Sequence, residues 1–166
     1  MGTKVQVSPE EYLSMSFHGP DREYVHGEIR ERGVPAYVHS RCQVRLSGIF
    51  FNLGRQKPVY AGSDLRVQVA SDVYRVPDLA VFVGDEPTEQ VPSTPPLITI
   101  EIVSPGDGLI EVSEKLEEYW KWGVRHVWVA DPHTRKLYVY DIAGLRQVTR
   151  FSVPELELEV TPGQLF

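Results

Sequence analysis

One cysteine, two methionines and no long apolar run mark what this sequence is short of. With Cys42 alone, no disulfide closes within the chain and no cysteine-based zinc site forms, which suits a reducing cytosol. No stretch approaches the roughly 20 apolar residues of a membrane helix. The opening MGTKVQVSPEEYL has no signal-peptide core, so the expectation is a cytoplasmic protein with no membrane partner. Gly2 follows Met1, but Gln6 stands where N-myristoylation wants Ser or Thr further along. Positive charge is in deficit as well. The formal net charge of −6 counts against a dedicated nucleic-acid binder. The deficit is uneven, because Arg30, Arg32, Arg41, Arg45, Arg55, Lys57 and Arg66 fall in a segment whose acids are Glu31 and Asp64. Such a segment offers either a local surface for phosphates or scattered arginines on a solvated helix.

What remains is an ordinary globular composition, with 42% hydrophobic and 24% charged residues in 166. The chain shows no repeat or dividing linker, and one domain over residues 1–166 is expected. Ser8, Pro9 and Glu11 form a helix-start signature with a capping box. REYVHGEIRERG alternates around His26-Gly27 and predicts a β-hairpin. Cys42, Leu46, Ile49, Phe50 and Leu53 recur at helical spacing from Tyr37 to about Arg55, where Gly54 can end the helix. LRVQVAS, YRVPDLAVFV and LITIEIVS read as three strands, and the proline-rich loop before the last carries no periodicity. A helix is expected around SEKLEEYWKW, with Leu116, Tyr119 and Trp120 on its buried stripe and Gly123 beyond its end. A short strand, RHVWVADP, follows it. KLYVYDIAG and LRQVTRFSV predict a C-terminal hairpin, and Trp120, Trp122 and Trp128 are expected in the core. This order gives an α/β (α+β) fold with a mixed central sheet flanked by helices.

The chemistry starts from LITIEIVSP. Strand side chains alternate, so Ile98, Ile100 and Ile102 share a core face while Thr99 and Glu101 share the other. A carboxylate buried there needs a partner, a proton or a metal. Asp78, in RVPDLAVF, is a second charge in an apolar strand, and Pro77 before it cannot donate to a ladder. Asp78 and Glu101 lie on strands adjacent in sequence, and two carboxylates brought together at one sheet end repel unless a divalent cation neutralises them. Hard oxygen donors with a water-rich shell suit Mg²⁺ or Mn²⁺.

EEYL, REYVHGEI, VPDLAVF, IEIVSP, the helix with Lys115 and Tyr119, and GVRHVWVADP, in this order, resemble the Uma-two family of restriction-endonuclease-like proteins. That family lies within the PD-(D/E)XK nuclease superfamily. The likeness runs from about Ser8 to Phe166. It implies a restriction-endonuclease-like core, Asp78 and Glu101 as metal ligands, and the Ile102 carbonyl as a further one. Lys115 matches a family lysine, Glu23 and Glu28 match acidic positions that complete the catalytic set, and His39 matches a family histidine. Two positions depart from the pattern. Val103 stands where the superfamily has its lysine, and Glu111 where the family has an aspartate after the serine-proline pair.

The resemblance implies a metal-dependent endonuclease that hydrolyses phosphodiesters in nucleic acid, DNA ahead of RNA, as a homodimer with one site for each strand. A catalytically silent binding or assembly module is the alternative, supported by Val103 and the net acidity, and a small-molecule hydrolase using the same carboxylates is a third. Individual residues have plainer readings too. Glu101 could be the ion-pair partner of Lys115 or an arginine, Asp78 a local strand cap, and Lys115 a solvated helix residue. Glu23 and Glu28 could be hairpin surface charges, His39 a packing residue, and Asp107 a turn residue.

Overall fold

The computed structural model describes residues 6–166. The N-terminal Gly2 reading lies outside them. Helix α1 (Pro9–Ser14) opens with the expected box: the Ser8 hydroxyl accepts from the Glu11 N–H, and the Glu11 carboxylate accepts from the Ser8 N–H. Strands β1 (Glu23–Val25) and β2 (Glu28–Arg30) form the expected hairpin. Its two-residue turn puts both His26 (φ 50°) and Gly27 (φ 89°) in the left-handed region, the geometry that follows the natural strand twist.

Helix α2 (Tyr37–Gly54) buries Cys42, Leu46 and Phe50 completely. Leu46 and Phe50 each contribute on the order of 1.5–3 kcal/mol of apolar burial. Its last residue is glycine for a steric reason: a Cβ on Gly54 would stand 2.5 Å from the Val59 carbonyl oxygen. That close approach brings in β3 (Val59–Ser63), which its small residues hide from a sequence reading.

The expected strand Tyr74–Val83 is two strands in two sheets. After β4 (Val67–Ala70), β5 (Val73–Arg75) joins a four-stranded sheet of order β2-β1-β5-β4. Beyond Val76-Pro77-Asp78, β6 (Leu79–Val83) joins a six-stranded sheet. Pro77 has no N–H for a ladder, so the chain changes sheet at that point.

The larger sheet continues with β7 (Ile98–Ile102), β8 (His126–Asp131), β9 (Lys136–Asp141) and β10 (Gly144–Val148), in the order β10-β9-β8-β7-β6-β3. It is mixed, as expected. Strands β7 and β8 are parallel, joined by helix α3 (Leu109–Trp122), and the other pairs are antiparallel. Ile98, Ile100 and Ile102 pack with Cys42, Leu46 and Phe50 of α2, while Val127 and Val129 pack with Leu116 and Tyr119 of α3. The C-terminal hairpin is shorter than expected. Strand β11 (Phe151–Val153) leaves β10 and pairs with β12 (Leu158–Val160), and Phe151 stacks on Trp128 with centroids 4.2 Å apart. The chain ends in α4 (Pro162–Leu165).

The tryptophans divide. Trp128 is core, but Trp120 is exposed and Trp122 half-buried. Val112, Leu116 and Tyr119 set the inward direction of α3, and Trp120 turns away from it. No helix among the described residues is long and apolar enough to cross a membrane.

Candidate active site

The joint between the two sheets carries the charge. One residue beyond the ladder pair Leu79↔Ile100 stand Asp78 and Glu101, and both line a cleft of about 410 Å³. Asp78 is buried and makes no local strand cap. Its Oδ2 accepts from the Ile102 N–H at 2.7 Å, tying the entry of β6 to the end of β7. The same oxygen faces His39 Nε2 at 3.3 Å. Its Oδ1 accepts from Arg32 at 2.8 Å, and Arg32 also binds Asp64 at 2.9 Å. Gln43 braces the arrangement, donating to Asp64 and to the Asp78 carbonyl. Burial pushes the His39 pKa down, but the hydrogen bond and charge of Asp78 outweigh it and hold the imidazole above its ordinary value.

Glu101 is buried on the α3 side. Tyr119 donates its hydroxyl at 2.9 Å and Lys115 its ammonium at 3.3 Å. Lys115 therefore points to Glu101 and is not solvated beside Glu118. Desolvation, strengthened by Asp78 and Glu23, pushes the Glu101 carboxyl up to about 7 against the pull of Lys115. Lys115 loses from burial and gains more from Glu101 and Glu23, so it stays a cation.

Glu23 is buried here too, not a hairpin surface charge. It accepts from Lys115 at 3.0 Å, Arg75 at 2.9 Å and the Val76 N–H at 3.0 Å. Burial raises its pKa, yet Lys115, Arg75 and that N–H together bring it below the ordinary glutamate value. Arg75 completes the chain with a two-pronged contact to Glu118 at 2.7 and 3.0 Å. Glu118, Arg75, Glu23, Lys115 and Glu101 thus run as alternating charges that link α3, the smaller sheet and β7. Glu28 stands apart. It pairs with Val25 next to the turn, two residues along the ribbon from the Glu23↔Arg30 pair, and does not line the cleft.

Ile102, Val103 and Glu111 also line the cleft, while Asp107 caps its own turn by accepting from the Ser104 N–H. Part of the basic segment is neutralised: Arg30 pairs with Glu114, Arg66 with Asp21 and Lys57 with Glu157. Arg75 escapes a sequence reading although its signal is that of Glu101, a charge inside an apolar strand. Arg32 has no such signal, because its partners lie 32 and 46 residues away.

The raised Glu101 and His39 set a pH response. Between about pH 4.5 and 7 the folded protein holds a proton on Glu101 that the unfolded chain has released, so stability falls as pH rises through that window. His39 acts in the same direction at its upper end, since its folded pKa is also raised. Urea unfolding of the metal-free protein at pH 5 and pH 8 should show a loss of on the order of 3 kcal/mol. A flat profile would mean that Glu101 is ionised throughout.

Comparison with known proteins adds two findings. The family model described as "Uma2: Putative restriction endonuclease" matches residues 9–165. A solved structure from Anabaena variabilis ATCC 29413, titled a "putative nuclease belonging to DUF820", superposes with a TM-score of 0.84 at 24% identity. The match covers 96% of this chain and 97% of that one, and at that identity it establishes the fold. No curated protein matches.

Proposed function

The chain belongs to the Uma2 family, and from that premise we propose that it is a metal-dependent nuclease that hydrolyses phosphodiester bonds, in DNA ahead of RNA. The observation that carries this reading is the meeting of Asp78 and Glu101 in one open cleft with a lysine 3.3 Å from Glu101. Asp78, Glu101 and the Ile102 carbonyl are the proposed ligands for Mg²⁺ or Mn²⁺. The donor set fits: all three are hard oxygens, and these ions keep several waters. Among the described residues no three of His, Cys, Asp and Glu form a ready ligand cluster, which leaves the backbone carbonyl and solvent to complete the shell.

A bound ion supplies an activated water and neutralises charge on the phosphoryl oxygens. The chain's own residues do the rest. Lys115, held by Glu23, presents a fixed positive charge to the phosphate. The Tyr119 hydroxyl fixes the Glu101 carboxylate, and the Ile102 N–H and Arg32 fix that of Asp78. Arg32 competes for Asp78 Oδ1 and must yield or share it when an ion binds. We place the activity in the cytosol, where buried Cys42, its thiol pushed up to about 12 by burial, stays inert. One domain over residues 1–166 is proposed to act as a homodimer, one site for each strand of a duplex.

The rival reading is a silent binding module, favoured by Val103 in the superfamily's lysine position and by the complete pairing of Asp78 with Arg32, His39 and Ile102. Incubation of the protein with supercoiled plasmid or single-stranded RNA, with Mn²⁺ or with chelator, separates the two. Slow Mn²⁺-dependent conversion to open circles is expected. No cleavage of either substrate, together with no calorimetric Mn²⁺ binding, would leave the silent module.

A further inference from the structure

Helix α2 turns Cys42, Leu46 and Phe50 inward, and among the described residues nothing covers its opposite face. Tyr37, Val44 and Phe51 are 77%, 71% and 71% exposed there. They recur at every seventh residue, close to two turns, so they form a stripe along the helix axis. Arg41 and Gly48 fill the positions between them on that face, and Arg55 follows Phe51 at the end of the helix. A Cβ built on Gly48 meets nothing within 4 Å, so the stripe is open and notched near its middle. An exposed face that alternates large apolar side chains with arginines and a notch has the make-up of an interaction surface.

We propose that this face is the two-fold interface of a homodimer, with α2 packed antiparallel against α2 of a second copy. The proposal rests on the dimeric reading above and gives it a surface. The residue pattern complements itself under a two-fold axis. Antiparallel pairing centred at the level of Leu46 sets Val44 into the notch at Gly48 of the partner subunit. It sets Arg41 over Phe51 of the partner subunit and Tyr37 against Arg55 of the partner subunit. Each contact is made twice, as an isologous interface requires. The arginines meet aromatic faces instead of one another, an attractive arrangement for a guanidinium. Parallel pairing in register would stack Arg41 on Arg41 and Arg55 on Arg55. Nucleic acid would also accept a basic, aromatic stripe, but His39 and Gln43, which line the cleft, lie on the other side of the helix. A duplex seated in the cleft would therefore meet α2 from the side away from the stripe.

One helix pair buries less than a standard interface of about 1,200–2,000 Å², so the dimer should dissociate in the micromolar range. Sedimentation velocity over a concentration series tests this with the whole chain. Wild type should show a monomer–dimer equilibrium. Val44→Arg, which overfills the notch with a like charge, should weaken it about 30-fold or more, the effect of a central hot spot. Phe51→Glu sets a carboxylate opposite Arg41 of the partner subunit, so it should dimerise better than Val44→Arg at low salt and lose that advantage at high salt. Both positions are exposed, and melting temperatures equal to wild type at concentrations below the dimer dissociation constant will show that the fold is intact.

A wild type that is monomeric throughout overturns the dimer. A Val44→Arg protein that still dimerises like wild type overturns this interface, while its plasmid cleavage reports separately on the nuclease. Phe51→Glu as weak at low salt as at high salt overturns the antiparallel register. A monomer whose DNA affinity falls on Val44→Arg would assign the face to nucleic acid and overturn the proposal.

Discussion

Glu101→Gln is expected to reduce Mn²⁺-dependent cleavage to the level seen with chelator, while melting no lower than wild type at pH 8. The amide keeps the shape and still accepts the Tyr119 hydroxyl, which lies 2.9 Å from Glu101 Oε1. It removes the negative charge proposed to hold the ion. Lys115 is not orphaned by the change, because Glu23 stays 3.0 Å away on its other side. The folded state is also relieved of a buried carboxylate whose ionisation is unfavourable enough to lift its pKa to about 7. The fall in stability between pH 5 and pH 8 should shrink accordingly. Calorimetric Mn²⁺ titration, plasmid conversion and thermal melting at both pH values measure the three effects. If Glu101→Gln unfolds the protein and wild type cleaves nothing, Glu101 is a structural ion-pair partner and the nuclease reading fails.

Glu23→Ala should instead destabilise the protein, by about 3–5 kcal/mol, the usual result of removing one member of a buried ion network. Three donors lose their acceptor together. The Val76 N–H is left buried and unpaired, at a cost of roughly 1–3 kcal/mol. Arg75 keeps only Glu118, and Lys115 keeps only Glu101. Glu114→Ala is the matched control, since its pairing with Arg30 at 3.3 Å is solvent-exposed and such pairs contribute about 0–1 kcal/mol. Urea unfolding of the two variants measures the contrast. A loss below about 1 kcal/mol for Glu23→Ala would mean that water replaces the carboxylate and the network is not dry.

The sequence showed the site where charge broke an apolar pattern. Glu101 stands out in LITIEIVSP because a period-two strand gives each residue a face, and Asp78 stands out after a proline that no ladder accepts. What was hidden depends on tertiary pairing. Strand β3 carries Ala61-Gly62 and has little propensity, and it is a strand because it pairs along its whole length with β6. The smaller sheet includes three-residue strands, too short to show a period. Arg32 and His39 reach Asp78 from a loop and a helix, and nothing in their own neighbourhoods announces it. Trp120 shows the limit of helical spacing: four residues from Leu116, it lies on the margin of the buried stripe and faces outward.

The change of sheet at Pro77 also divides the cleft between two unequal supports. Asp78 and Glu101 sit on the six-stranded sheet, at the entry of β6 and near the end of β7, and Lys115 on α3 packed against that sheet. Glu23 and Arg75 come from the smaller sheet, whose apolar support includes the cluster of Tyr12, Tyr24 and Tyr74. Free energies of local opening differ across a structure, and the unit with fewer buried apolar contacts opens first. Opening of the smaller sheet would withdraw Glu23 from Lys115 while the six-stranded core stayed folded. Lys115 would then be held by Glu101 alone, on the carboxylate assigned to the metal. If the smaller sheet opens first, cleavage should be lost on heating below the main melting transition, and activity and calorimetry over one temperature series would compare the two.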